Sequence, residues 1–192
     1  MVYWIVWSLL KMVRPFCFPL KIYGKENIPQ KGAFILASNH RSYLDPPLVS
    51  ICHTWRISFV ARDSLFKGFA GWLFPKLEAF PIKRQSADVG AIKEALNRLE
   101  RGLPVLLFPE GTRTTDPIKR RIQPGIGMIA VKSGLPVVPV FIKGSDDVLP
   151  AGAKSLKRRP VTVTFGAPMF FKETADYPSI SREVMEKILS MG

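Results

Sequence analysis

The sequence predicts a single α/β domain in which a mostly parallel or mixed sheet is covered by helices on its faces. Short apolar runs bounded by glycine, proline or charge alternate with stretches whose apolar residues recur at helical spacing. This alternation is typical of β-α-β units, which leave the loops at the strand ends available for chemistry. The 192 residues are 47% hydrophobic and 22% charged, which suits one core-bearing domain and excludes a disordered chain.

The predicted elements follow one another along the chain with glycine or proline between them. Strands are predicted at 33–38, 57–61, 105–108, 137–142 and 161–165. Helices are predicted at 48–53, 66–77, 87–101, 125–133 and 180–189. The strand AFILAS at 33–38 ends in polar residues, which places the segment NHRSYLDP on a strand-to-helix loop.

Residues 1–20 are predicted to form an amphipathic segment that lies on a membrane, ahead of one domain at 21–192. Their longest uncharged stretch is ten residues, whereas a bilayer crossing needs about 20 apolar residues. Lys11 and Arg14 share one helical face, and the tryptophans of the segment suit the headgroup boundary. A core helix is the alternative. Because no small-residue cleavage site follows, we expect the segment to be retained and not removed as a signal peptide.

The charge balance indicates a polyanionic partner. Lys and Arg number 28 against 15 Asp and Glu, a net charge of +13. Nucleic acid and anionic lipid both attract such a surface, but the basic residues lie among aromatic and aliphatic ones, which favours lipid. Cys17, Cys52, His40 and His53 lack the paired spacing of a disulfide framework or a zinc site, so we expect a reducing compartment and no metal.

The segment NHRSYLDP places His40 five residues before Asp45, which is followed by two prolines. An imidazole held in one tautomer by a carboxylate can take a proton from a hydroxyl. The simpler interpretation makes Asp45 a helix N-cap before Pro46 and His40 a satisfied loop residue. A capping aspartate can still turn one oxygen towards an imidazole, so the two interpretations are compatible.

Three further segments have both a functional and a structural interpretation. FPEGTR at 108–113 follows a strand, and its turn offers backbone N–H groups and Arg113 to a phosphate, unless it is a plain turn braced by Glu110. FPIKR at 80–84 is either a phosphate-binding strip or a charged strand edge. VVPV at 137–140 is most simply a core strand with proline at its start or edge.

Taken together and in this order, the four segments resemble the glycerolipid acyltransferase family, typified by 1-acyl-glycerol-3-phosphate acyltransferases. NHRSYLDP matches the family's Asn-His, four residues and Asp, and FPEGTR matches its third motif. AFPIKR looks like its second motif and LPVVPVFIKG like its fourth. The resemblance runs from about Gly24 to Pro168, which is most of the chain.

The resemblance implies roles for individual residues. His40 would be the general base and Asp45 the group that orients it. The residues that bind the acceptor or shape its site would be Arg62, Arg84, Glu110, Gly111, Thr112, Arg113 and Lys119. Arg62 stands where many members have lysine, and Lys119 would supply a contact that members with Phe-Lys-x-Gly make where this chain has IQPG. Pro139 would be a structural element near the acyl-donor pocket.

The activity implied is direct acyl transfer from acyl-CoA or acyl carrier protein to 1-acyl-glycerol-3-phosphate, or to another lysolipid or glycerol-3-phosphate, without a cofactor. The sequence has no G-x-S-x-G elbow for a covalent intermediate. The helix at 66–77 would line an acyl groove or dip into the bilayer, with a core helix as alternative. We expect a monotopic enzyme on the cytoplasmic face that binds no nucleic acid.

Three other classes remain open. A nucleic-acid binder is what the charge alone predicts, although the order of the motifs argues against it. A non-catalytic lipid-binding module could have the same fold. A metal-dependent phosphoesterase would need clustered carboxylates, for which Asp45, Glu110 and the pair Asp146-Asp147 are a thin set.

Overall fold

The computed structural model describes residues 1–82, 88–113, 121–150, 152–153, 155–172 and 176–192. The strands of these residues are β1 (Leu20–Tyr23), β2 (Ile35–Ser38), β3 (Ser58–Arg62), β4 (Ala79–Ile82), β5 (Val105–Leu107), β6 (Val137–Lys143) and β7 (Val161–Phe165). They form one sheet in the order β1-β7-β6-β2-β5-β3-β4, in which every neighbouring pair is parallel except β6 and β7. The predicted mixed sheet is therefore confirmed.

Helices cover both faces of the sheet. In the described residues they are α1 (Val2–Cys17), α2 (Asp45–Ile51), α3 (Gly68–Lys76), α4 (Val89–Glu100), α5 (Gly125–Ser133), α6 (Ser145–Val148) and α7 (Tyr177–Leu189), with 3₁₀ turns at Lys25–Asn27 and Asp63–Leu65. None of these helices has the length and apolar character that a bilayer crossing requires.

The central strands are buried on both faces, because successive side chains of a strand point to opposite sides. Ile35 and Ala37 of β2 pack into the core beneath α4, α5 and α7. Leu36, between them, packs into the opposite core with Leu48 and Val49 of α2. The predicted strand AFILAS is thus apolar from Ala33 to Ala37 because it lies at the centre of the sheet, and Ser38 at its end is buried as well.

Two edge strands lie outside the five predicted strands, although a strand edge was one interpretation of the segment FPIKR. β1 has only four residues with exposed lysine and tyrosine among them, and β4 contains Pro81. Proline lacks a ladder donor and is tolerated at an edge, which is where β4 lies. The strand-edge interpretation of FPIKR is therefore confirmed for residues 80–82, whereas Lys83 and Arg84 lie outside the described residues.

Pro139 differs from its predicted position, because it lies inside the central strand β6 and not at a strand start or edge. Its carbonyl accepts a hydrogen bond from the Gly166 amide at 2.8 Å, one residue beyond the end of β7. The N–H and C=O of one strand residue point to the same side, so the N–H that Pro139 lacks would also have pointed towards Gly166. Regular pairing between β6 and β7 has already ended at that position.

The N-terminal helix α1 is docked on the domain by one face. The Tyr3 hydroxyl donates to the Trp55 carbonyl at 3.4 Å and accepts from the Ile57 amide at 3.0 Å. The Trp7 indole donates to the Ser50 carbonyl at 2.8 Å. The chain then enters β1 directly, so the first helix is continuous with the sheet.

Helix α3 is not a core helix, because none of its residues is buried. Phe69 and Trp72 are 74% and 55% exposed. Phe74 faces inward and lines the large cavity described below. The core alternative is therefore wrong, whereas the lining of an acyl groove and the contact with a bilayer stay predictions.

Candidate active site

The loop at 39–44 leaves β2 at the centre of the sheet, where carboxyl ends of parallel strands meet. Asn39 fixes its start. The Asn39 amide nitrogen donates to the Ile142 carbonyl at 2.8 Å, and the Ile142 amide donates to the Asn39 side-chain oxygen at 2.7 Å. This buried side chain takes the place of a backbone unit and ties the end of β2 to β6, so the residue after it, His40, has a defined position.

His40 and Asp45 form the predicted pair. The His40 Nδ1 lies 2.8 Å from Asp45 Oδ2. The same oxygen accepts from the amides of Arg41 at 2.7 Å and Ser42 at 2.8 Å. Asp45 is fully buried, and a carboxylate can only accept, so Nδ1 carries the proton and Nε2 is left as the proton acceptor.

The predicted N-cap role of Asp45 is wrong. Helix α2 begins at Asp45 itself, Leu44 is the N-cap, and no side chain caps the helix. An N-cap side chain at 45 would need an N–H from the second or third helical residue. The second would be Pro47, which has none, and the Leu48 amide already donates to the Leu44 carbonyl at 2.9 Å. The carboxylate therefore turns back into the loop.

The FPEGTR turn packs directly against His40. The Phe108 ring stacks on the imidazole with centroids 4.0 Å apart and planes 22° apart. The Glu110 carboxylate accepts from the His40 backbone amide at 2.7 Å and is almost fully buried. Gly111 has φ +63, the left-handed conformation that glycine tolerates. Glu110 thus braces the loop that carries His40.

Arg113 leaves the same turn beside the loop. Its guanidinium carbon lies 3.5 Å from the centroid of the Tyr43 ring, a cation–π contact. Both side chains line the cavity that His40 lines. The aromatic ring therefore supports the guanidinium at the site.

A cavity of about 470 Å³ opens beside His40, within the range of about 300–1,000 Å³ usual for ligand sites. Its walls come from widely separated elements and are mostly apolar: Trp7 of α1, Phe59 and Ala61 of β3, Phe74 of α3, and Ile126 and Ile129 of α5. Arg62, at the end of β3, adds a second cation to the lining beside Arg113.

Most predicted site residues come together here. His40, Arg62, Gly111 and Arg113 line the cavity, with Asp45 and Glu110 directly behind His40. Thr112 is exposed between the two lining residues of the turn. Pro139 is not among the lining residues, and Arg84 and Lys119 lie outside the described residues.

Three contributors escaped sequence reasoning: Asn39, Tyr43 and Phe108. All three belong to the segments NHRSYLDP and FPEGTR, which were identified in the sequence. Their roles depend on contacts with residues far away in the chain, which local spacing does not indicate. No metal-binding group of three His, Cys, Asp or Glu side chains is present in the part of the chain that the structure describes.

The two cysteines are free thiols in this structure. Burial raises the pKa of the Cys52 thiol to about 12, so it stays protonated at neutral pH and is a poor nucleophile. Neither cysteine lines the cavity.

An acyltransferase family model matches residues 19–143, more than half of the chain, and this range contains the His40 loop and the FPEGTR turn. The chain belongs to the acyltransferase family. The matched range includes the His40–Asp45 pair, which lies at the carboxyl edge of the sheet of this acyltransferase.

Two relatives of this acyltransferase are both named as 1-acyl-sn-glycerol-3-phosphate acyltransferases. A 1-acyl-sn-glycerol-3-phosphate acyltransferase of Bacillus subtilis (strain 168) is 29% identical over 179 residues, which are 91% of this chain and 86% of the relative. A chloroplastic enzyme of the same name from Brassica napus is 29% identical over 171 residues, 86% of this chain but 48% of the relative. The chain thus spans about half the length of that plant relative.

A solved structure agrees with the fold of this acyltransferase. The 1-acyl-sn-glycerophosphate (LPA) acyltransferase PlsC from Thermotoga maritima superposes with a TM-score of 0.79 and 27% sequence identity. The similarity covers 97% of this chain and 76% of that one.

The second histidine, His53, lies outside the site and gives a pH-dependent prediction. Its Nδ1 accepts from the Trp55 amide at 2.9 Å and its Nε2 is buried without a hydrogen-bond partner among the described residues. Burial lowers its pKa to about 4 from 6.5, so His53 is neutral in the folded chain. Stability should therefore be full above pH 6.5 and fall between pH 6.5 and 4, by up to about 3 kcal/mol.

The matched variant is His53→Asn, whose side-chain oxygen can accept from Trp55 but does not titrate. Urea unfolding at several pH values should give the variant a smaller loss of unfolding free energy on acidification than the wild type. Parallel pH profiles for the two proteins would contradict the prediction.

Proposed function

We propose that this acyltransferase moves a fatty acyl group from a thioester to the sn-2 hydroxyl of 1-acyl-glycerol-3-phosphate, giving phosphatidic acid. The observation that carries the proposal is the His40–Asp45 pair at a cavity whose walls are apolar and whose cations are Arg62 and Arg113. Apolar walls suit acyl chains, and guanidinium groups suit a phosphate. The names of the relatives support the same acceptor.

The chemistry follows from the protonation of His40. Its Nε2 takes the proton of the acceptor hydroxyl while Asp45 stabilises the imidazolium through Nδ1. The hydroxyl oxygen bonds to the thioester carbon, and the tetrahedral intermediate collapses by breaking the carbon–sulfur bond. The leaving thiolate recovers the proton from the imidazolium. The transfer needs no cofactor beyond the acyl-CoA or acyl carrier protein thioester.

The test is acyl transfer by purified protein with both thioester donors. The acceptors are 1-acyl-glycerol-3-phosphate, lysophosphatidylcholine and glycerol-3-phosphate, and the product is followed by mass spectrometry. We expect phosphatidic acid as the main product with at least one donor. The donor comparison decides between CoA and acyl carrier protein.

Two outcomes would count against the proposal. Preference for lysophosphatidylcholine or glycerol-3-phosphate would assign another acceptor to the same chemistry. Binding of 1-acyl-glycerol-3-phosphate without transfer from either donor would make the chain a lipid-binding module.

Tyr43 is expected to act through Arg113. A cation–π contact at an exposed site contributes about 0.5–1 kcal/mol, and Tyr43 is 57% exposed. If Arg113 binds the acceptor phosphate, Tyr43→Leu should raise the KM for 1-acyl-glycerol-3-phosphate by about two- to fivefold with little change in kcat. Steady-state kinetics against the acceptor measure both parameters.

The matched control is Tyr43→Phe, which keeps the ring and should keep the wild-type KM. A phosphate-free acceptor, 1-acylglycerol, should show no difference between Tyr43→Leu and the wild type. Equal KM increases for the leucine and phenylalanine variants would assign the effect to the hydroxyl and contradict the cation–π role.

We also propose that α1 attaches the enzyme to a membrane on the cytoplasmic face, without nucleic-acid binding. One side of the helix is apolar and exposed: Met1, Ile5, Met12 and Phe16 are 95%, 60%, 63% and 78% exposed. Residues of the other side, including Val6, Trp7 and Leu10, line the large cavity. Lipid beside α1 would therefore be next to the site.

A further inference from the structure

A second recess, the α1–β1 recess, lies apart from the His40 cavity. It has a volume of about 340 Å³ and no lining residue in common with that cavity. Its basic lining residues are Lys11 and Arg14 of α1 and Lys25 of the first 3₁₀ turn. Residues of β1 and the end of α2 form the apolar remainder.

The three cations are unpaired in the part of the chain that the structure describes. Among the described residues, none of Lys11, Arg14 and Lys25 forms an ion pair. Arg14 Nε is buried and has no hydrogen-bond partner there. Desolvation and then the charges of Lys25 and Arg14 lower the pKa of Lys11. Positive charges that lie close together repel one another, and an anion bound between them offsets this electrostatic repulsion.

The dipole of α1 explains the position of only one of the three basic residues of the recess. Arg14 lies in the last turn of α1, where a cation interacts favourably with the helix dipole. Lys25, however, comes from a different element. Gly24, with φ +68, turns the chain after β1, and the Asn27 side chain donates to the Phe165 carbonyl at 2.9 Å. The turn that places Lys25 at the recess is therefore held by its own contacts.

We propose that the α1–β1 recess binds the phosphate of an anionic phospholipid headgroup. The inference rests on the membrane attachment by α1 proposed above. The apolar stripe of α1 would bring Lys11 and Arg14 of the same helix to headgroup depth. A phosphodiester offers oxygens to both ammonium and guanidinium groups. We favour a lipid over free phosphate as the ligand, because the same helix has an exposed apolar side that would contact a bilayer.

Vesicle binding tests the proposal with two matched variants. Lys25→Gln removes a charge from the recess, whereas Lys21→Gln removes one from an exposed position on β1 outside it. Flotation compares phosphatidylcholine vesicles with mixed phosphatidylcholine and phosphatidylglycerol vesicles. We expect Lys25→Gln to weaken binding to the mixed vesicles about fivefold more than Lys21→Gln, since a basic residue at an anionic surface contributes about 1 kcal/mol. Thermal unfolding checks that both variants are folded.

The other outcomes overturn the proposal in distinguishable ways. Equal losses in the two variants would mean a diffuse attraction to the net charge. Equal vesicle binding by Lys25→Gln and the wild type, together with stabilisation of the wild type alone by inorganic phosphate in thermal unfolding, would mean a free-anion site. Equal wild-type binding to both vesicle types would remove the headgroup site and leave docking by α1 intact. Binding to neither vesicle type would overturn the membrane attachment itself.

Discussion

Replacing His40 by alanine is expected to lower kcat for acyl transfer by about 10²- to 10⁴-fold, the usual contribution of a general base. The substitution removes Nε2, the proton acceptor at the cavity. Asp45 keeps its hydrogen bonds from the Arg41 and Ser42 amides, so the loop should keep its shape. Transfer rates of purified proteins, measured with saturating donor and acceptor, give the ratio.

The second histidine supplies the control for this experiment. His53→Asn should retain the wild-type kcat at neutral pH, because His53 lines no part of the His40 cavity. The thermal unfolding temperature of His40→Ala should stay near that of the wild type. Ordinary turnover by the folded His40→Ala protein would exclude His40 as the base.

Asp45→Asn is expected to lower kcat by a similar factor, about 10⁴ in the analogous serine protease pair, with little change in KM. All three contacts of Asp45 reach the same oxygen, Oδ2. An asparagine with its oxygen at this position keeps the contacts but loses the negative charge that stabilises the imidazolium, and one with its NH2 group there donates to Nδ1 and leaves the imidazole proton on Nε2. Either orientation lowers kcat. The pH profile of kcat/KM should change together with kcat.

Asp146→Asn is the matched control for this carboxylate. Asp146 lies near the same loop, 3.4 Å from the Arg41 guanidinium, but it does not contact His40. This variant should keep most of its activity. If Asp45→Asn raised KM and left kcat unchanged, Asp45 would serve the shape of the site and not the protonation state of His40.

The central elements of the fold could be predicted from local pattern. Helix α5 and strand β7 have the predicted bounds, because each lies between a proline and a glycine that mark its two ends. The edge strands β1 and β4 could not, since four residues with a lysine or a proline carry little periodic signal. Their pairing depends on β7 and β3, which lie far along the chain or beyond a helix.

The site could be predicted as a set of residues but not as an arrangement. Motif order pointed to His40, Asp45 and the FPEGTR turn, and the structure brings them together. The contact of Asp45 with His40 was predicted, but the capping role was not correct, because Pro47 offers no N–H to a cap at position 45. The stacking of Phe108 on His40 joins residues far apart in sequence, so local spacing contains no sign of it.

Asn39 couples the shape of the active site to the folding of the whole domain. Because its side chain closes the ladder between β2 and β6, the loop beside it shares the cooperative unit formed by the middle of the sheet. Local fraying at this loop is therefore unfavourable, and amide hydrogens such as that of Ile142 should exchange only when the whole domain opens. Heat inactivation and global unfolding then become one event.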